Sequence, residues 1–167
     1  DSMSIWFVQL VNREVRCIDY MEASGEGLQY FFKEMDKKDY VYGEHYAPHD
    51  IAVRELGTGV SRLETAKKLG IDFKQVARPD TKEDGINAIR VLIPRTYFDK
   101  TKCKRGIMGL KGYKKEWNDK QMVYKDKPVH DWTSHPTDAF QTMALSNPKV
   151  KEKHRQPVKS QRLKFHV

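Results

Sequence analysis

Two acidic segments of the sequence combine residue types that bind hard metal ions. The first, His130–Phe140, places two carboxylates, Asp131 and Asp138, and two imidazoles within nine positions, just before a helix-like apolar pattern. The second, Gly43–Asp50, follows an apolar, aromatic run typical of a strand and ends in a carboxylate. Hard cations prefer oxygen ligands and keep water positions open. Asp50 and Asp138 are therefore candidate ligands of a Mg²⁺ or Mn²⁺ site.

Each of these residues also has a plain structural interpretation. Asp50 could cap the turn that follows it, and Asp138, placed by the pattern in the first turn of a helix, could interact with the helix dipole. Residue type alone favours those interpretations. A zinc site is not indicated, because the histidines lack a His-x-x-x-His spacing and no cysteine pair accompanies them. The histidines concerned are His45, His49, His130 and His135.

Composition predicts one globular domain with a basic surface. The chain has 167 residues, of which 38% are hydrophobic and 11% aromatic, enough to build a core and to exclude wholesale disorder. Its 31 Lys and Arg against 23 Asp and Glu give a net charge of +8, which fits a polyanionic partner. Cys17 and Cys103 lie in apolar patterns typical of reduced thiols in the cytosol. Neither a membrane-spanning run nor a signal-peptide pattern is present.

Strand and helix signals alternate along the chain and predict an α/β fold. Met3–Val11 is almost continuously apolar, as in a buried strand, and Asn12 and Arg13 make a tight turn into a second strand. Leu28–Met35 has the spacing of an amphipathic helix, and a strand is predicted from Tyr40 to Ala47.

The middle of the chain carries two helix start signals. Ser61 opens a capping box before a short helix that ends at Gly70, and Thr81 opens a second helix that ends at Pro94. Between them lies a strand, Phe73–Ala77.

A longer helix is then predicted to carry Ile107, Leu110, Tyr113 and Trp117 inward, with a basic opposite face. A short strand at Met122–Tyr124 and a last helix capped by Ser134 follow. The basic, hydrophilic residues 148–167 are predicted to form a mobile tail behind a domain at 1–147.

Taken in order, several segments resemble the C-terminal nuclease domain of the large terminase subunit of tailed bacteriophages. The resemblance covers roughly residues 1 to 147 and is specific because the motifs keep the order of the family. The segments that carry it are Ile18–Gly27, Pro48–Asp50, Arg54–Gly59, Glu83–Ala88 and His130–Phe140.

The resemblance implies a ribonuclease H-like mixed sheet flanked by helices, with two metal ions held among three acidic residues. Asp50 matches the acidic residue after a strand parallel to the first, and Asp138 matches the one on a late helix, in a His-x-x-Asp-Ala pattern starting at His135. Asp131 and His135 are expected in supporting roles. Asp1 resembles the last residue of the family's Asp-x-Gly-x-x-Asp segment, so the first strand and its acidic ligand are expected upstream of residue 1.

The implied activity is endonucleolytic cleavage of concatemeric double-stranded DNA, using two Mg²⁺ or Mn²⁺ ions. In such sites one ion activates a water and the other stabilises the leaving oxygen. The implied partners are DNA, the small terminase subunit and the portal protein, with no membrane, in the cytoplasm of the bacterial host. The alternative is a non-catalytic DNA-binding or structural module of the packaging motor. DNA contacts are expected from Lys114, Lys115, Lys120 and Lys125.

Overall fold

A long antiparallel hairpin forms the centre of the protein, whose computed structural model describes residues 2–146. Strand β1 (Ser2–Val11) turns at Asn12, which has a positive φ of 56°, into β2 (Glu14–Ser24). The short strand β5 (Thr96–Phe98) pairs in parallel with the other edge of β2. The main sheet therefore has the strand order β1-β2-β5.

A β-bulge near the middle of β2 changes which face its side chains occupy. Phe7 pairs with Asp19 whereas Val8 pairs with Cys17, so Ile18 is an extra residue on β2. Because side chains alternate along a strand, the extra residue brings both Cys17 and Tyr20 to one face of the sheet.

Two smaller sheets complete the strand structure. Strands β3 (His45–Pro48) and β4 (Phe73–Val76) pair in parallel along their full length. Strands β6 (Lys115–Asn118) and β7 (Val123–Pro128) form a second antiparallel hairpin. Together with the helices these sheets confirm the predicted mixed α/β architecture.

Five α-helices are distributed along the described chain, and both predicted capping boxes are present. Ser61 and Glu64 exchange the two hydrogen bonds of one box, and Thr81 and Asp84 those of the other. The helices are α1 (Leu28–Asp36), α2 (Arg62–Lys68), α3 (Lys82–Leu92), α4 (Lys104–Gly112) and α5 (Ser134–Leu145). Within residues 2–146 no helix has the length and apolarity needed to span a bilayer.

Two hydrophobic clusters lie on opposite faces of the main sheet. One joins the β2 residues Val15 and Cys17 to Phe140 and Met143 of α5. The other joins Phe7 of β1 to the aromatic face of α1 and to α2. The sheet thus separates α1 and α2 from α4 and α5, as expected for a layered α/β fold.

Trp6 connects the sheet to the start of α5. Its indole N–H donates a hydrogen bond of 2.9 Å to the backbone oxygen of Pro136. Its ring lies within 6 Å, centroid to centroid, of the rings of Tyr20, Phe98 and Phe140. Aromatic contacts and a satisfied indole N–H together fix α5 against β1.

Several sequence-based predictions need correction in the second half of the chain. The helix predicted to reach Trp117 ends at Gly112, because the chain there turns extended and enters β6, where Trp117 is exposed. Strand β3 begins at His45 and not at Tyr40. Ser134 is the first residue of α5 and not its cap, since its hydroxyl donates to the backbone oxygen of Asp131.

The expectations for Asp1 and for the tail at 148–167 fall outside the described residues.

The close contact of α4 with Trp6 makes a testable prediction about stability. A Cβ on Gly106 would collide with the indole ring of Trp6 and lie 2.9 Å from Cδ2 of Tyr20. Overpacking a buried ring costs about 1–3 kcal/mol, which outweighs the ~1 kcal/mol that alanine gains in a helix. Gly106→Ala should therefore lower the melting temperature by several degrees, measured by calorimetry.

Gly43 provides the matched control for that substitution. A Cβ at Gly43 would meet no atom within 4 Å. Gly43→Ala should leave the melting temperature unchanged or slightly higher. Equal melting temperatures for the two variants would contradict the close helix-to-sheet contact at Gly106.

Candidate metal centre

Asp138 is held in the second turn of α5, as its fifth residue. The first turn of α5 contains no acidic residue, so the prediction that Asp138 lies in that turn was wrong. An interaction with the helix dipole therefore does not account for Asp138. Glycines let α4 and the loop before α5 approach closely. A Cβ on Gly109 would collide with Pro136, and one on Gly112 would lie 3.0 Å from Cγ2 of Thr133. The backbone that carries Asp138 is therefore positioned by close packing.

Asp50 lies immediately after β3, in a 3-10 helix at His49–Ala52. Pro48 occupies the N-cap position and no side chain caps this turn, so the capping role considered from the sequence does not apply to Asp50. The carboxylate is exposed, with a guanidinium nitrogen of Arg62 at 4.0 Å. Strand β3 contacts α5, which brings the end of β3 to the helix that carries Asp138.

The pKa of Asp138 shows which charges surround it. Although the residue is exposed, the neighbouring protein removes water from part of its carboxylate, and this desolvation raises its pKa. The negative charge of Asp50 raises the pKa further. The positive charges of Lys82, His130 and His135 act in the opposite direction. Asp50 and Asp138, which are 88 residues apart in sequence, thus act on each other electrostatically.

Two histidines stand beside this pair of carboxylates. The rings of His130 and His135 meet edge to face with their centroids 6.3 Å apart. Nδ1 of His130 lies 3.3 Å from Oγ of Ser134. The sequence indicated a supporting role for His135, and the structure adds His130 as a second imidazole that influences Asp138.

Asp131 stabilises the start of α5 from the preceding loop. Its Oδ1 accepts hydrogen bonds from the backbone N–H of Thr133 at 2.8 Å and from the Thr133 hydroxyl at 2.5 Å. These bonds lower the pKa of Asp131. The next residue, Trp132, lies under the guanidinium of Arg105, whose carbon is 3.6 Å from the ring centroid. Asp131 therefore orders the loop beside the two carboxylates.

Two residues near Asp138 were missed by sequence reasoning. Lys82 is the first residue of α3, and only the capping box at Thr81 marked its position. Tyr113 was predicted to face the core from a longer helix, but it directly follows the end of α4. Burial and, secondarily, the charge of Asp138 raise the pKa of Tyr113 to about 12, so its phenol stays protonated beside the carboxylate at neutral pH.

The predicted DNA-binding lysines lie on the β6–β7 hairpin and at its base. Lys114 precedes β6, and its charge acts on Asp131. Nζ of Lys125 is paired with Glu116 at 2.5 Å. Lys115 and Lys120 are exposed and form no ion pair with any other residue of the described chain. Tyr113 and His130, whose charge or environment is coupled to that of Asp138, lie just before and just after the hairpin in sequence. A role of these lysines in DNA binding remains a prediction.

The donor set suits a hard cation that also binds water and phosphate. Within residues 2–146 no three or more His, Cys, Asp or Glu side chains converge in a metal-binding arrangement. No hydrogen bond to the Asp138 carboxylate forms in the same part of the chain, so its oxygens are available. Mg²⁺ is commonly held by only one or two carboxylates together with waters and substrate phosphate. Asp50 and Asp138 fit such a partial site.

Comparisons of the chain with protein-family models, curated proteins and solved structures found no match.

The charges around Asp138 predict opposite pKa shifts in two variants. Asp50→Asn removes a negative charge and should lower the pKa of Asp138, whereas Lys82→Gln removes a positive charge and should raise it. NMR titration of the Asp138 side-chain carboxyl carbon measures both shifts. The exposed Glu55 has no such influence, so Glu55→Gln is the control and should leave the titration unchanged.

The same interaction sets the sign of a pH dependence in stability. Folding raises the pKa of Asp138, so the ionised carboxylate has a higher free energy in the native state than in the unfolded chain. Ionisation of Asp138 therefore destabilises the folded protein. Asp138→Asn should therefore raise the melting temperature at pH 7 without metal. The gain should disappear as the pH falls below the pKa of an unfolded Asp, because both states are then protonated. A gain that is independent of pH would contradict the raised pKa.

Proposed function

We propose that this protein is a metal-dependent DNA endonuclease domain with Asp50 and Asp138 as metal ligands. The observation that carries the proposal is the electrostatic coupling of these two distant carboxylates, with Lys82, His130 and His135 around Asp138. Desolvation and, to a smaller extent, the negative charge of Asp50 make the ionised form of Asp138 less favourable. A bound divalent ion would offset both effects, which is why acidic residues of this kind occur at hydrolytic metal sites.

The arrangement of the sheets supports a ribonuclease H-like fold for the domain. Helix α5 contacts both β1 and β3, although these strands belong to different sheets. Among residues 2–146, β1 pairs only with β2, and β3 only with β4, so each has an unpaired edge. We infer that one further strand joins β1 to β3 above α5. In the terminase nucleases that this sequence resembles, such a strand carries the remaining acidic ligand.

The chain's own residues can bind and orient a phosphodiester at this site. Divalent ions held by Asp50 and Asp138 would supply an activated water and stabilise the departing 3′ oxygen. Lys82 can contribute a positive charge to a phosphate that approaches Asp138. His130 is exposed, and its imidazole can offer a hydrogen bond to water or phosphate near Asp138. The phenol of Tyr113, protonated at neutral pH, can donate a hydrogen bond.

The substrate that fits this surface is double-stranded DNA. The net charge of +8 favours a polyanion, and Lys115 and Lys120 are exposed on the hairpin next to the site. With the resemblance to terminases, this proposal extends to cleavage of concatemeric phage DNA in the bacterial cytoplasm. The small terminase subunit and the portal protein are then the proposed partners during packaging.

Substitution of the two ligands tests the proposed activity. Asp50→Asn and Asp138→Asn should each reduce Mn²⁺-dependent cleavage of plasmid DNA to the metal-free background, because each removes an anionic oxygen ligand. Gel electrophoresis of supercoiled plasmid measures the cleavage. Mn²⁺ should also raise the melting temperature of the unsubstituted protein, and this rise should be lost in both variants.

Asp72 provides the matched control. It lies just before β4, and because β3 and β4 are parallel, it is at the opposite end of this sheet from Asp50. Asp72→Asn should cleave DNA at the unsubstituted rate. The opposite result is DNA binding without Mn²⁺-dependent cleavage, in the unsubstituted protein as well as in the variants. That result would identify a non-catalytic DNA-binding module of the packaging motor instead.

The hairpin lysines predict a salt-dependent affinity for duplex DNA. Removing one lysine that binds a phosphate should reduce the slope of log affinity against log salt by about 0.9. Replacing Lys115 and Lys120 by Gln should therefore lower this slope by about 1–2, measured by fluorescence anisotropy in EDTA. Lys114 and Lys125 should contribute less, because their charges already act on Asp131 and Glu116.

Lys33 on α1 and Lys67 on α2 serve as the control, since both helices lie on the other face of the main sheet from α5. Lys33→Gln with Lys67→Gln should leave the slope unchanged. A slope that falls equally in both double variants would show that net charge alone, and not the hairpin, determines DNA binding.

A further inference from the structure

The β6–β7 hairpin exposes an unusual concentration of apolar side chains. Exposed fractions are 42% for Trp117, 71% for Met122, 50% for Val123 and 64% for Tyr124. No other helix or strand of the described chain packs extensively against the hairpin. A two-stranded hairpin that lacks such support is only marginally stable in water. The apolar patch is therefore not explained by packing within residues 2–146.

The side-chain amide of Asn118, and the amide oxygen of Gln121 with which it pairs, are occupied by the turn itself. Oδ1 of Asn118 accepts from the backbone N–H groups of Lys120 and Gln121, at 3.1 and 3.3 Å. Its Nδ2 donates to Oε1 of Gln121 at 2.9 Å. These amides are thus committed to the turn and not free to read base edges. Met122, with a positive φ of 53°, and Val123 are the side chains that the turn presents to a ligand.

Behind the tip, a pair of aromatic rings braces the two strands, with positive charge beside it. Trp117 and Tyr124 are cross-strand partners whose rings meet edge to face, with centroids 4.8 Å apart. Lys115 and Lys120 are exposed at the base and the tip. Apolar side chains with flanking cations complement DNA, whose bases are apolar on their faces and whose phosphates are anionic.

We propose that this hairpin is a DNA wedge, in which Met122 and Val123 enter the minor groove and unstack a base step of double-stranded DNA. The minor groove is the more suitable site, because the wedge side chains Met122 and Val123 are apolar and the Asn118 amide, which could read a base edge in the major groove, is occupied by the turn. Apolar wedges that kink DNA enter from the minor groove. The occupant is double-stranded DNA, so the wedge rests on the proposed nuclease function and deepens it.

The position of the hairpin connects the kink to cleavage. Its strands leave the domain between Tyr113 and His130, both beside Asp138. At about 3.3 Å per residue, the strands place the tip roughly 15 Å from the base of the hairpin. A kink at the tip would bend the duplex toward that base and so bring the phosphodiester backbone closer to the proposed metal ligands.

The test measures bending of a mixed-sequence duplex of about three helical turns, labelled at both ends for fluorescence energy transfer, in EDTA. The unsubstituted protein should increase the transfer. Met122→Asn with Val123→Thr should abolish the increase in energy transfer and weaken DNA binding about tenfold. The slope of log affinity against log salt should not change, because no charge is altered. Asparagine tolerates positive φ better than methionine, so the turn should persist, as circular dichroism would verify.

The matched control is Leu56→Asn with Val41→Thr, which removes even more exposed apolar side chains elsewhere. This control should bend DNA like the unsubstituted protein. Bending by the Met122/Val123 variant at the unsubstituted level would overturn the proposal, as would no bending by the unsubstituted protein. The Met122/Val123 variant could instead change the oligomeric state measured by sedimentation and leave bending unchanged. That result would overturn the proposal, because it would show that the patch is an interface between copies of the protein.

Failure of the wedge and failure of the nuclease are distinguishable in this design. Asp138→Asn should still bend DNA in EDTA, because the wedge does not use the metal ligands. Bending without Mn²⁺-dependent cleavage in any form of the protein would support the wedge and remove the nuclease. The reverse outcome is Mn²⁺-dependent cleavage together with DNA bending that the Met122/Val123 substitutions do not change. That outcome would support the nuclease proposal and contradict the wedge proposal.

Discussion

The fixed position of α5 against β1 is the constraint on which the rest of the structure depends. Trp6 satisfies its indole N–H on the backbone oxygen of Pro136 and fills the space between the sheet and the helix. The close approach needs residues without a side chain at two points on α4, Gly106 and Gly109. A helix so tightly enclosed has little freedom to rotate or slide. Its second turn therefore presents Asp138 in one fixed direction.

The packing around α5 accounts for the electrostatics of the candidate site. Helix α5 contacts α3, α4, β1 and β3, so residues from the ends of several elements meet beside Asp138. Asp50 comes from the end of β3, Lys82 from the start of α3 and Tyr113 from the end of α4. Residues at the ends of regular elements keep their backbone fixed while their side chains reach solvent. A charged cluster of this kind can bind an ion or a phosphate without rearrangement of the core.

The β6–β7 hairpin differs from the rest of the protein in what supports it. The central strands are stabilised by two hydrophobic clusters, whereas the hairpin depends on its own cross-strand pairs, Trp117 with Tyr124 and Glu116 with Lys125. Such pairs contribute less than about 1 kcal/mol each. The hairpin can therefore adjust to a ligand while its base remains beside Tyr113 and His130. Rigidity at the acidic cluster and adaptability at the hairpin are both consistent with the proposed binding of DNA.

The sequence by itself determined the elements whose signals are local. The β1–β2 turn, the helix α1 and the capping boxes at Ser61 and Thr81 were predictable because short-range patterns and hydrogen bonds specify them. The two acidic positions were also identifiable, from Asp50 after a strand and Asp138 on a late helix.

Only the tertiary structure decided where α4 ends, that Trp117 is exposed, and that Lys82 and Tyr113 lie beside Asp138. The apolar spacing that predicted a longer helix continues past Gly112, so periodicity could not mark the end of α4. The proximity of Lys82 and Tyr113 to Asp138 arises from contacts between elements distant in sequence. No local pattern records such contacts, because the free energy that creates them comes from packing the whole domain.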